Sequence, residues 1–356
     1  MRATLQYVSS KKRRIVVIVS LLLLLLMTTL YALNAGSYHL TFERILTIIY
    51  QTITDPTSLE AVKSEKTVVI DFRMPRVILA ILTGISLSIA GCVMQALLRN
   101  PLVSPFTLGL SSAASFGAAL AIVCGTSLMP FIPMPFQTGI IIISAFLLGW
   151  LSILLIYAIS LMKGSSSATL ILAGVVIGYI FTAGVMILKY LTNDEKLREI
   201  TLWLMGGMWG ANWGAVMIVA PITLLCFLYL ESCAWDLNSL SAGDDVAKNL
   251  GVHVKRLRLT GLCVSTFAAS ACLAFTGIIG FIGLMGPHIG RMLIGNDNRY
   301  LIPCAALLGA FILLVSDTVA RTIMDPVEIP VGVIMYVIGG IFFLFLILRG
   351  KHRMIT

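Results

Sequence analysis

The sequence predicts an all-α, polytopic membrane protein with about ten spans, and three observations carry that prediction. Hydrophobic residues make up 58% of the 356 positions and charged residues only 12%, whereas a soluble domain of this length would be about a quarter charged. The apolar residues run together in blocks of roughly 20, enough helix to cross a hydrocarbon core of about 30 Å. Within the blocks there is no apolar–polar alternation of the kind that barrel strands show.

The elements follow in order. Lys11-Lys12-Arg13-Arg14 precedes an apolar run over 15–34. This reads as a retained first span, because the run is long for a signal peptide and no A-x-A cleavage site follows. Residues 36–76 form a polar extracytoplasmic segment with an amphipathic piece at Phe42, Ile45, Leu46 and Ile49. Spans are then expected at 77–97, 106–125, 137–162, 168–191 and 213–232, followed by a polar segment over 233–258 and spans at 259–276, 278–294, 300–319 and 330–348. The third and eighth are short or Gly-rich, and Gly84, Gly91, Gly109 and Gly117 suit close helix–helix contact. No soluble domain interrupts the series, so residues 1–356 read as a single transmembrane domain.

Lys and Arg concentrate on the side that holds both termini and the 233–258 segment, which places that side in the cytoplasm and the protein in the cell membrane. The net charge of +9 is then a product of topology and gives nucleic-acid binding no support. The seven cysteines form no CxxC pair and read as small buried hydrophobes. His39, His253, His288 and His352 stand apart and suggest no metal site. There is no HExxH or paired-carboxylate constellation, and no cofactor is implied. Nor is there a P-loop of the G-x-x-x-x-G-K-[ST] type, so any ATP must be bound by a partner chain. Ionisable residues keep to the ends of the spans. That argues against the rival class, an ion-coupled secondary transporter.

Two interruptions carry shape. In Ser241–Leu259, Gly243 and Gly251 bracket a short segment whose Val246, Ala247 and Leu250 share one face, followed by Lys255, Arg256 and Arg258. A shaped cationic element on one side of a membrane protein is a docking element. At the end of the second span, Asn100-Pro101 and Ser104-Pro105 break the helix. Gln95, on that span, either faces a pathway or hydrogen-bonds a neighbouring helix.

A series of motifs now lines up. Arg73–Ser112 reads R-x-P-R, then a Gly-rich helix, then M-Q-x-x-x-R-N-P-L and P-x-x-L-G. Further on stand Ile171-Leu172-Ala173-Gly174-Val175, Trp203-Leu204-Met205-Gly206-Gly207, Ala242–Val252, Gly280–Leu284 with Pro287, His288 and Arg291, Asp317–Arg321, and Glu328–Gly332. In order and spacing this closely resembles the FecCD-type permease family over roughly residues 65–350. These are the membrane subunits of type II ABC importers for iron–siderophore, haem and vitamin B12 complexes.

The resemblance implies a homodimer served by two ABC ATPase subunits and an extracytoplasmic substrate-binding protein. By analogy, Arg73, Arg76 and Arg321 would meet carboxylates of that binding protein. The plainer readings are headgroup anchoring for Arg73 and Arg76, and an i,i+4 pair with Asp317 for Arg321. Asn100, Leu102, Ser167 and Ala168 would form a cytoplasmic gate, and Gln95, Gly174 and Gly178 would line the translocation pathway. Gly243, Asp244, Val246, Ala247, Leu250 and Gly251 would make the coupling helix seated in the ATPase. Gly251 would turn the chain into a second short helix, while Arg256 and Arg258 obey the positive-inside rule. A weak echo between spans 2–5 and 7–10 points to an inverted repeat.

Overall fold

The computed structural model describes residues 2–36, 38, 40–54, 63–128, 134–162 and 166–349, and its regular structure is helical throughout. The helices are α1 (Arg2–Asn34), α2 (Phe42–Thr54), α3 (Lys63–Lys66), α4 (Met74–Leu98), α5 (Leu110–Leu128), α6 (Met134–Met162), α7 (Ser167–Leu191), α8 (Asp194–Met205), α9 (Trp213–Ser232), α10 (Ala234–Ser241), α11 (Asp244–Asn249), α12 (Val254–Thr276), α13 (Ile282–Ile294), α14 (Asn298–Thr322) and α15 (Val331–Arg349). A π-helical turn over Thr67–Arg73 joins α3 to α4.

Eight of these segments are long and apolar enough to cross a membrane, and α5 adds a shorter apolar stretch over Leu110–Gly125. With the 13-residue α13, the expected spans each find a helix. Where the boundaries differ, the cause is local. The second span starts early, at Ser64, because the π turn carries the helix on from α3. The eighth starts late, at Ile282, because Gly277 (φ +66°) and Phe281 (φ +65°) lie in the left-handed region and stop the helix there. The polar segments contain helices that hydropathy does not reveal, namely α8 and α10. The amphipathic piece is the observed α2, with Ile45 and Ile48 buried in the core.

Several starts are fixed by side chains that accept a bond from an orphan backbone N–H. Ser166 Oγ accepts from Thr169 N at 3.1 Å, Asn193 Oδ1 from Lys196 N at 3.1 Å and Asn212 Oδ1 from Ala215 N at 2.9 Å.

α4 is the axis of the bundle. Its most apolar stretch is 78% buried, against 11% for α1, so α4 packs on protein and α1 faces lipid. It sits against α9, α12, α13 and α14. Close approach to α13 needs Gly91, since a Cβ there would lie 1.9 Å from the Gly283 carbonyl oxygen. α4 runs from the end holding Arg76 to the end holding Asp244, and α12 runs back the other way. Each is a largely buried helix followed, after irregular backbone, by the next apolar helix (α4 by α5, α12 by α13).

Candidate functional sites at the two ends of the bundle

At the Asp244 end, α11 is a six-residue helix set between glycines at φ +125° (Gly243) and +85° (Gly251), conformations that disfavour any side chain. Val246 and Leu250 are exposed, at 44% and 66%, whereas Ala247 is fully buried among Leu237, Leu240 and Val254. The three-residue face expected from the sequence therefore divides. One turn of helix lying on α10 and α12 must turn one residue inward, and the smallest takes that place. After Gly251 the chain enters α12 directly at Val254. The extra short helix lies before α11, as α10, and not after it.

Asp244 carries the polar geometry of this end. Its Oδ1 accepts from Arg258 Nη2 at 2.9 Å and lies 3.3 Å from Arg99 Nη2. Arg258 is only 7% exposed. It also donates from Nε to the Leu97 carbonyl at 3.3 Å and from Nη2 to Ser167 Oγ at 3.4 Å. Assigning Arg258 to the positive-inside rule alone is thus corrected: its hydrogen bonds reach α4, α7 and α11. Arg99, Ser167, Asp244, Lys255, Arg256 and Arg258 line a recess of about 870 Å³. The Asp245–Lys248 pair, at 3.0 Å, is solvated and contributes little.

Both expected gate segments border this end. Asn100 Oδ1 accepts from Leu102 N at 2.9 Å, fixing a tight turn that leaves Leu102 64% exposed. Ser167 is half-buried and Ala168 exposed at the start of α7. Lys163, Gly164 and Ser165 lie outside the described residues.

The three residues expected to line a pathway are engaged inside the subunit. Gln95 is 2% exposed, donates from Nε2 to the Gly283 carbonyl at 3.0 Å and accepts from Arg291 Nη2. Of the two readings left open for it, the bond to a neighbouring helix is the observed one. Gly174 and Gly178 are packing glycines: a Cβ at Gly174 would meet Leu108 Cα at 2.9 Å, and one at Gly178 would meet Gly109 Cα at 3.3 Å. The opposite face of α7 is open instead, with Leu172, Val176, Tyr179, Ile180, Met186 and Ile187 exposed. A glycine stripe and an open face occupy opposite sides of one helix, and the sequence marks only the stripe.

At the Arg76 end, Arg73, Arg76 and Arg321 meet around a recess of about 420 Å³ bordered by Tyr38, Trp209 and Glu328. Arg76 grips Asp317 with Nε–Oδ1 at 3.1 Å and Nη2–Oδ1 at 3.0 Å, and reaches Glu328 Oε2 at 2.8 Å. Arg73 and Arg321 are each 6% exposed, and their donors are engaged by the subunit's own backbone. Arg73 donates to the carbonyls of Leu33 (2.9 Å) and Tyr38 (2.6 Å), and Arg321 to those of Ala32 (2.6 Å) and Ala35 (3.0 Å). The C-terminal carbonyls of α1 have no helical partners and carry the negative end of the helix dipole, so two guanidinium groups satisfy them. The expected Asp317–Arg321 pair is present but longer, at 3.5 Å.

One polar cluster went unforeseen. Asp297, in the turn before α14, accepts from Arg299 Nη2 at 2.6 Å, Arg14 Nη1 at 3.0 Å and Asn238 Nδ2 at 2.9 Å, which ties α1, α10 and α14 together. The Arg299 hydrogen bonds hold its carboxyl down at about 2. Arg299 also stacks 4.0 Å above the Trp235 ring. Among the described residues no group of three His, Cys, Asp or Glu is placed to hold a metal ion.

Comparison with known proteins agrees with this geometry. The model of the FecCD transport family matches residues 23–349. An ABC transporter permease protein of Methanocaldococcus jannaschii is 39% identical over 92% of this chain and 92% of its own length. The hemin transport system permease protein HmuU of Yersinia pestis is 41% identical over 80% of this chain and 84% of its own. A solved metal-chelate type ABC transporter in an inward-facing conformation superposes with a TM-score of 0.80 at 33% identity, covering 93% of this chain and 98% of that one. The chain therefore belongs to the FecCD transport family and is the membrane-spanning permease subunit of an ABC importer, with ATP hydrolysis left to a separate subunit.

Proposed function

We propose that this permease works as a homodimer in the cell membrane, with the Asp244 end and both termini in the cytoplasm. Two ATPase subunits seat on α11, and an extracytoplasmic binding protein delivers cargo at the Arg76 end. The observation that carries the reading is α11 itself. It is a glycine-bracketed helix that offers Val246 and Leu250 outward beside a cationic recess, at the end where the positive charge concentrates. ATP-dependent changes in the partners favour one arrangement of the two permeases over another, which requires the ATPases to bind those arrangements unequally.

The cargo is a metal chelate of the iron–siderophore, haem or cobalamin class. Support comes from the hemin permease among the relatives and from the metal-chelate transporter that shares the fold. The exposed apolar face of α7 lines the pathway and meets the second copy, while Asn100, Leu102, Ser167 and Ala168 gate its inner end. At the outer end, the Arg73–Arg76–Arg321 recess receives carboxylates of the binding protein, which then compete with Glu328 and the α1 carbonyls for the same guanidinium groups.

The test is uptake into proteoliposomes that contain the permease with its ATPase subunits, with binding protein outside and haem, a ferric siderophore or cobalamin as cargo. ATP-dependent uptake of one of these, with all ion gradients collapsed, is expected. Uptake that needs an ion gradient and no ATP would instead establish an ion-coupled secondary transporter.

A further inference from the structure

We propose that Asp244 is the node of a two-armed clamp. One arm runs through Arg258 to Ser167 and the other through Arg99 to Asn100, so that a displacement of α11 reaches both gate segments at once. The inference rests on the reading of α11 as the seat of the ATPase.

The geometry is specific. A single carboxylate oxygen, Asp244 Oδ1, meets Arg258 Nη2 at 2.9 Å and Arg99 Nη2 at 3.3 Å. The first arm is short. The same Arg258 nitrogen reaches Ser167 Oγ, on the first residue of α7, at 3.4 Å, while its Nε stays on the Leu97 carbonyl of α4. The second arm is covalent beyond Arg99. That residue ends α4 in the left-handed conformation, with φ 47°, and is bonded directly to Asn100. Asn100 then holds the Leu102 turn through its own side chain.

Three physical points make these contacts a transmission and not only a staple. The guanidinium is planar and its donors are fixed relative to one another, so a pull at Nη2 turns the whole group. Arg258 is 7% exposed, and a buried cation stripped of its carboxylate is costly, so the pair moves together in preference to separating. α11 is tied to its neighbour α10 through the buried Ala247 and the Gly243 N–H bond to the Leu240 carbonyl at 3.0 Å, which keeps its single turn from unwinding. It therefore shifts as a body, and a shift of about 1 Å already takes a 2.9 Å hydrogen bond out of range unless both arginines follow.

The sequence gives little hint of this. Arg99 and Arg258 look like boundary cations, and Asp244 and Asp245 look equivalent. The structure separates them: Asp244 holds the two arginines, whereas Asp245 pairs with Lys248 in solvent.

The test uses the full chain assembled with its ATPase subunits, carrying spin labels at Leu102 or at Ala168, both exposed. Distances across the dimer are measured with and without ATP. In the parent, both label pairs should shift with ATP. Arg258→Gln should keep co-purification with the ATPases, lose at least about tenfold of ATP-driven uptake, within the usual range of coupling, and abolish the Ala168 shift. Arg99→Gln should abolish the Leu102 shift and leave the Ala168 shift in place, a selectivity that a general loss of stability does not produce. Arg258→Lys keeps the charge without the fork and should fall between parent and Gln variant in uptake; it also serves if the Gln variant folds poorly. Both shifts persisting in Arg258→Gln and Arg99→Gln, or both vanishing together in each, overturns the clamp. Separately, Val246→Asp with Leu250→Asp should abolish co-purification. If it does not, the seat reading falls, whatever the clamp variants do.

Discussion

At the scale of single residues, the polar side chains at both ends of this permease act mainly within the subunit. Arg73 and Arg321 satisfy five backbone carbonyls at the end of α1 and just beyond it, and each charge-assisted bond of this kind contributes on the order of 1.5–3 kcal/mol. Arg73→Ala should accordingly lower the thermal stability of the purified permease by about 3 kcal/mol. A residue that only docks a partner would leave the melting temperature where it is. Asp297 supplies a pH-dependent contribution. Its carboxyl titrates near 2 in the folded protein, below the ordinary carboxylate value, because Arg299 donates to its charged form. The folded state thus binds this proton later than the unfolded chain. The contribution is complete above roughly pH 4 and is lost as the pH falls from there through about 2. Asp297→Asn should cost about 1 kcal/mol at neutral pH, reduced by solvent screening. The melting temperatures of parent and variant should then converge as the pH is lowered, a trend that scanning calorimetry in detergent at stepped pH would reveal.

At the scale of elements, α11 shows how one helical turn divides its work. Val246→Asp or Leu250→Asp should abolish co-purification with the ATPase subunits at unchanged stability, because both side chains point outward. Ala247→Asp should instead cost several kcal/mol, on the order of a buried unpaired charge, and reduce folded yield on size-exclusion chromatography. The apolar i, i+1, i+4 pattern could not say which of the three residues faces in. That depends on where α10 and α12 lie, and their positions are set by contacts far away in sequence. The same gap explains Gln95 and the α7 glycines. Gln95 stands out in an apolar run, yet its partners Gly283 and Arg291 come from α13. Gly174 and Gly178 mark the face of α7 that packs on Leu108 and Gly109, and only the position of those neighbours shows that this face is closed.

At the scale of the whole molecule, α7 leaves an open apolar face, and the proposed homodimer puts the second copy there. A photo-crosslinking residue at Tyr179 or Ile180 should give a permease dimer on denaturing gels after illumination in membranes, whereas one at Gly178, which packs inside the subunit, should give none. Either a monomer-only pattern at Tyr179 or equal yields at all three positions would place the dimer interface elsewhere. Hydropathy determined that the chain is a helical membrane protein and where nearly every apolar helix lies, and the collinear motifs determined which family it belongs to. A bilayer imposes these features locally: each span must satisfy its own backbone and match a fixed thickness, so a window of about 20 residues holds the information. Only the tertiary structure decided that Arg73 and Arg321 cap α1, that Gln95 is interior, that Arg258 joins α4, α7 and α11, and that α7 shows its non-glycine face. Those outcomes depend on which helices become neighbours. One of the closest approaches in this bundle, Gly91 on the Gly283 carbonyl, joins residues nearly 200 positions apart.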